Sequence, residues 1–125
     1  MSLDVGLLFL RVTVGLMMVI SHGWGKMVKV VSGDFSFPDP LGLGAAPSLV
    51  LAALTEFVCA LLVVLGVKTR YVAVPVTITM LVAAFVQHID DSWGKKEFAL
   101  LYAIPFAMLI ITGGGKYSLD RVRKK

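Results

Sequence analysis

Residues 3–26 read LDVGLLFLRVTVGLMMVISHGWGK, and the reading of this stretch decides the fold. From Leu3 to Ser21 its only charges are Asp4 and Arg11. It then closes on His22, on Trp24 between two glycines, and on Lys26. A membrane-spanning helix needs about 20 predominantly apolar residues. A secretory signal peptide would instead begin on a basic segment, continue without charge and end at a small-residue cleavage site. Asp4, Arg11 and the bulky SHGWGK end do not fit that pattern, so a retained transmembrane helix is expected. A second apolar run ends similarly, on HIDDSWGKK at residues 88–96.

Composition extends that reading to the whole chain. Of its 125 residues, 58% are hydrophobic and only 16% charged, against about 25% charged in a soluble domain, and the mean hydropathy is +0.87. A soluble protein this small would lack the polar surface to cover so much apolar side chain. Four apolar runs predict an all-α integral membrane protein, a single domain built as a four-transmembrane-helix bundle with spans near 3–22, 47–67, 71–89 and 97–113. Residues 23–46 would form a long outer loop and 114–125 a basic tail. Lys68, Arg70, Lys116, Arg121, Arg123, Lys124 and Lys125 fall on the side shared by both termini. On the other side Lys26, Lys29, Lys95 and Lys96 are diluted by Asp34, Asp39, Asp90, Asp91 and Glu97. The excess of Lys and Arg predicts that both termini are cytoplasmic. The tail would lie against anionic headgroups, and the net charge of +4 requires no nucleic-acid partner.

A charge inside a span costs about 2.5–3.5 kcal/mol at the helix centre, so each needs a partner. Arg11 and Glu56 fall near the middle of consecutive spans and are expected to pair, either as a structural ion pair or as a headgroup-binding or proton-relay group. Arg11, Gly15, Met18 and His22 share one helix face, as do Ala52, Glu56, Ala60 and Val63, and again Thr77, Leu81, Ala84 and His88. Gly15 would let a neighbour approach closely. The first and third spans run the same way, so His22, Lys26, His88 and Glu97 should converge at the outer mouth. Trp24, Trp93, Lys95 and Lys96 read as an interfacial belt. The linker carries Phe35, Phe37, Pro38 and Pro40, and its length predicts a partly ordered lid. Pro75 and Pro105 should kink their spans. His22, His88 and Glu97 could in principle suit zinc, but with no local His pair and with Lys26 adding positive charge, no metal is expected. The single cysteine, Cys59, cannot run dithiol chemistry alone.

RVTVGLMMVISHGWGK, with Arg11, Gly15, His22, Gly23 and Lys26, resembles the opening signature of the DoxX family. GVKTRYVAV resembles the family's turn between its second and third helices. GGGKYSLD resembles its closing motif, matched at Gly113, Gly115, Ser118, Leu119 and Asp120. The resemblance implies a four-helix protein of the prokaryotic inner membrane and a link to membrane oxidoreductases. The expected function is a redox-associated subunit of a quinone-linked oxidoreductase, binding a quinone or similar amphiphile non-covalently. His22, His88 and Glu97 are the catalytic candidates, and Arg11, Gly15, His22, Lys26, Glu56, His88 and Glu97 the ligand-binding ones. Lipid, a redox partner protein or a second copy of the chain are the expected partners. The alternatives are a carrier of a small solute, lipid or proton, and a structural subunit of a membrane complex.

Overall fold

The computed structural model describes residues 2–123; Lys124 and Lys125, the end of the expected tail, lie outside them. Among the described residues the regular structure is helical. Four long helices, α1 (Ser2–Ser32), α2 (Ala45–Leu65), α3 (Thr69–Gln87) and α4 (Trp93–Thr112), are followed by a short α5 (Leu119–Arg123). α1, α2 and α3 are long and apolar enough to cross a membrane. Each helix packs on the next, and α4 returns to α1 and closes the bundle. Met18, Ala60, Val63, Val76, Phe106 and Leu109 form the sealed centre, whereas Phe9, Ile20, Ile104 and Ile111 point outward as a bilayer requires.

α1 does not stop at SHGWGK. It continues to Ser32 and ends at Gly33, whose left-handed φ of 81° closes the last turn. The expected outer loop at 23–46 therefore shrinks to the segment 33–44 between helices. A glycine ends a helix readily when it takes the left-handed conformation, and Gly23 stays right-handed as part of a π-helical turn, Val19–Gly23. It is needed there for another reason. A Cβ on Gly23 would overlap the Glu56 carbonyl oxygen, so this is where the α1 backbone rides directly on α2. At about 1.5 Å per residue α1 is far longer than the roughly 30 Å hydrocarbon core, and its last turns pack on the first half of α2.

Two further π-helical turns, Leu54–Cys59 in α2 and Ala83–Gln87 in α3, shift the buried stripes. In α1 the stripe runs Leu7, Arg11, Gly15, Met18 as the spacing predicts, then steps to Val19 and Gly23, leaving His22 half-buried at its edge. The α2 stripe contains Ala52, Glu56, Ala60 and Val63 as expected. In α3 the expected stripe holds at Thr77 and Ala84, but Met80 faces inward and Leu81 faces out, because the helix places 73, 76, 77, 80 and 84 on the buried side.

The opposite end of the bundle is a clasp. α2 ends in a Schellman turn, with the Val67 amide donating to Leu62 O at 2.9 Å and the left-handed Gly66 donating to Val63 O at 3.1 Å. Asp120 then caps α3 from a distance, accepting the Lys68 and Thr69 amides at 2.6 and 3.0 Å. Asp4 accepts the Lys116 amide at 3.0 Å and so ties α1 to the same loop. The GGGKYSLD stretch is thus the strap that joins three helix ends.

Gly23→Ala should lower the thermal midpoint in detergent through a loss on the order of 3 kcal/mol, since the collision is with backbone. Gly25→Ala, which meets nothing within 4 Å, should be neutral or slightly stabilising. Equal midpoints for the two variants would refute this packing of α1 on α2.

Candidate functional site

Arg11 and Glu56 do not pair. Arg11 Nη2 donates to Tyr117 O at 2.7 Å, and Nη1 donates to Val64 O at 3.1 Å and, more weakly, to Val63 O at 3.5 Å. These carbonyls belong to the end of α2 and to the strap, where a cation also complements the helix dipole. Glu56 instead accepts Lys26 Nζ at 2.6 Å, with side-chain exposures of 21% for Lys26 and 3% for Glu56. The expected pairing assumed that the first span ends near residue 22, and the real antiparallel register differs. Gly15 faces Val64 and Ala60, and Gly23 faces Glu56, so Arg11 lies well below the level of Glu56. Because α1 continues past Gly23, Lys26 is still helical and one turn above the contact, within reach of Glu56.

The Lys26–Glu56 pair forms one wall of a cavity of about 520 Å³ at the His22 end of the bundle. α1 contributes His22 and Lys26; α2 contributes Ser48, Leu51, Ala52, Thr55 and Glu56. α3 adds Ile78, Thr79, Met80 and Val82, with His88 just beyond its end, and α4 adds Lys95, Phe98 and Ala99. Its existence follows from how α2 packs. The second half of α2 lies on α3, while its first half leans on the end of α1. The gap left between α2 and α3 includes Leu51 and Ile78, both more than half exposed. The cavity therefore reaches the apolar outer surface of the bundle at its side.

The segment 33–44 covers the cavity with Phe37, Pro38, Pro40, Leu41 and Leu43. Asp39 organises it by accepting the Leu43 and Gly44 amides at 2.8 Å each and the Ser48 hydroxyl at 2.9 Å. These bonds, that from Gly44 first, hold the Asp39 carboxyl below its ordinary range. Lys29 Nζ donates to Ser36 O and fastens the other end of the segment to α1.

His22 is wedged against α4. Its ring meets Tyr102 edge-on at 5.1 Å between centroids and Phe98 at 5.6 Å. Nε2 is buried and has no hydrogen-bond partner among the described residues. A buried imidazole nitrogen without a partner is costly, on the order of 1–3 kcal/mol. His88 also lines the cavity, but its Nδ1 lies 2.6 Å from Asp91 Oδ2, an interaction that lowers the Asp91 carboxyl from its usual range.

The structure thus brings together His22, Lys26, Glu56 and His88. It leaves out three other candidates. Arg11 belongs to the clasp, Gly15 serves helix packing, and Glu97 is exposed in the first turns of α4, off the cavity wall. Asp91, rather than Glu97, is the carboxylate beside an imidazole. Lys95, read as part of a belt, lines the cavity instead. Tyr102, Thr55 and Asp39 were missed. Tyr102 alone had a signal, as the one polar-tipped residue midway along an otherwise apolar fourth run.

Long apolar helices, outward-facing apolar side chains and charges satisfied only from within define an integral membrane protein. The DoxX family model matches residues 6–89, and the chain belongs to the DoxX family. Inner membrane protein YqjF of Escherichia coli is 30% identical over 126 residues, covering 98% of this chain and 95% of that protein. An uncharacterized protein of Haemophilus influenzae is 31% identical over 121 residues, covering 91% of this chain and 87% of that one. An uncharacterized membrane protein of Mycobacterium tuberculosis is 30% identical over 112 residues, covering 70% of this chain and 68% of its own length. No solved structure gives a significant match. Family and apolar helices together place the chain in the prokaryotic inner membrane.

Removing one member of a buried ion pair strands the other, at a cost of about 3–5 kcal/mol, whereas removing both charges is often nearly neutral. Lys26→Met should therefore destabilise strongly, and Lys26→Met combined with Glu56→Gln should recover most of the loss. A double-mutant cycle on thermal midpoints reads this directly. A double variant no better than Lys26→Met alone would show that the pair is not what holds these side chains.

Proposed function

We propose that this chain binds a quinone or a similar ring-headed amphiphile in the cavity at the His22 end, as the membrane subunit of a quinone-linked oxidoreductase. The observation that carries the reading is the buried, unpartnered Nε2 of His22 on an apolar cavity that reaches the apolar outer surface between α2 and α3. A largely apolar pocket with a few convergent polar groups is the usual form of a small-molecule site. A head group entering from the bilayer would come to rest against the imidazole at the inner wall, and an acyl or prenyl tail would remain in the gap beside Leu51 and Ile78. His22 would donate a hydrogen bond to a carbonyl oxygen, and imidazole is suited to passing a proton at neutral pH. Lys26, oriented by Glu56 on the same cavity, would stabilise negative charge developing on that oxygen. With a single cysteine in the chain, the electrons would come from a partner protein.

Mass spectrometry of small molecules retained by gently purified protein tests this. Wild type should carry a quinone at near-stoichiometric level. His22→Phe, which keeps the ring packing on Tyr102 but removes both nitrogens, should reduce it at least tenfold. The lipid-facing Phe9→Ala should not. A different specific ligand lost in His22→Phe would favour a carrier, and bulk lipid alone, unchanged by the substitution, would sink both readings.

We further propose that α4 also crosses the membrane and that both termini are cytoplasmic. The Lys68–Arg70 turn and the strap meet at one end of the bundle with Lys68, Arg70 and Lys116, and the basic sequence from Arg121 follows the strap directly, which supports this orientation. In a Cys59→Ala background, a membrane-impermeant maleimide should label Ser92→Cys in spheroplasts but Lys116→Cys only after lysis. Labelling of both without lysis would reject the four-span arrangement.

A further inference from the structure

The clasp end of the bundle carries a second cavity, of about 420 Å³, between the start of α3, the Gly113–Gly115 loop and α5. Its rim bears Lys68, Arg70 and Arg121, all exposed. None of the three forms an ion pair among the described residues; Arg70 makes one long contact, from Nη2 to Thr112 O at 3.5 Å. The carboxylate among the lining residues is Asp120, whose oxygens accept the Lys68 and Thr69 amides. Through those amides Asp120 fixes the backbone that carries Lys68 at the rim.

The loop supplies further donors. The amides of Gly113 and Lys116 are used, on Leu109 O and Asp4 Oδ1, but those of Gly114 and Gly115 between them meet no acceptor among the described residues. Gly113 and Gly115 have left-handed φ values of 72° and 84°. A Cβ at Gly113 would come within 3.0 Å of Arg70 Nε, and one at Gly114 within 2.8 Å of Thr69 Oγ1. Only glycines let the loop lie this close to the rim. Thr69 Oγ1, behind Gly114, is buried and also lacks a partner. Unpaired backbone amides in such a turn make a concave anion site, and guanidinium groups match the paired oxygens of phosphate.

We propose that this cavity binds a phosphate-type anion, held by Lys68, Arg70 and Arg121 over the Gly114 and Gly115 amides. The phosphodiester of an anionic phospholipid and free phosphate share that chemistry. The site is independent of the cavity at the other end, and the failure of either leaves the other standing.

Native mass spectrometry of the full chain released from nanodiscs of mixed phosphatidylglycerol and phosphatidylcholine tests the lipid source. Calorimetric titration of inorganic phosphate in a neutral detergent tests the free anion. Wild type should retain phosphatidylglycerol preferentially. Retention should fall about fivefold in Arg121→Gln and about 25-fold in Arg70→Gln/Arg121→Gln, with Lys96→Gln at the opposite end unchanged. Arg121 is exposed and its side chain has no partner among the described residues, so its variant reports binding without a folding defect, which a thermal midpoint verifies. Phosphate binding weakened by Arg121→Gln, without lipid preference, would assign the site to the free anion. Equal retention of both lipids together with no phosphate binding would overturn the proposal, as would retention and phosphate affinity indifferent to both variants.

Discussion

The Arg11 guanidinium reaches across the bundle to the last carbonyls of α2 and to Tyr117 O in the strap. No water is available inside a bilayer to solvate a stranded cation or the free carbonyls of a helix end, and this contact answers part of both demands. It also sets the register of α1 against α2. With Arg11 beside Val64 and Gly66, Gly15 falls on Ala60 and Val64 and Gly23 on Glu56. The pairing of Lys26 with Glu56 is a consequence of that alignment. A buried charge at one end thereby decides which charges meet at the other.

The two ends of the bundle resolve the same problem differently. At the clasp, polar groups bond mainly to backbone: Asp120 caps α3, Asp4 holds Lys116, and the Ser118 hydroxyl donates to Gly115 O at 2.7 Å, while Arg11 Nε and Thr69 Oγ1 meet no partner among the described residues. At the His22 end, side chains answer one another, and the fit is incomplete. Lys26 and Glu56 satisfy each other, whereas His22 Nε2 is left over. Each end therefore combines braced polar groups with a few that no described residue satisfies.

The π-helical turns belong to the same division. Each adds a residue to a helical turn and rotates the remainder of its helix, and such turns recur at functional sites. Those in α1 and α2 meet where Gly23 touches the Glu56 backbone, and the one in α3 ends beside His88. Between them they turn His22 toward Tyr102 and Phe98 and let the first half of α2 diverge from α3. The cavity is the space this divergence leaves, and the Asp39-braced segment covers it.

Much of this was legible in the residues. Apolar runs of the right length marked the helices, the periodicity of Arg11, Gly15 and Met18 marked the buried face of α1, and the distinctive motifs marked the family, because each depends on local chemistry that a linear pattern records. His22, Lys26, Glu56 and His88 were recognisable as polar groups misplaced in an apolar context. Their partners were not. Which carboxylate meets which cation depends on helix register, on whether a glycine bends or continues a helix, and on π-turns that leave no period in the sequence. Tertiary packing alone moved Arg11 to a helix end, gave Glu56 to Lys26 and set Glu97 aside. It did so because close approach of two backbones at Gly23, not the midpoint of a hydrophobic run, decides what lies opposite what.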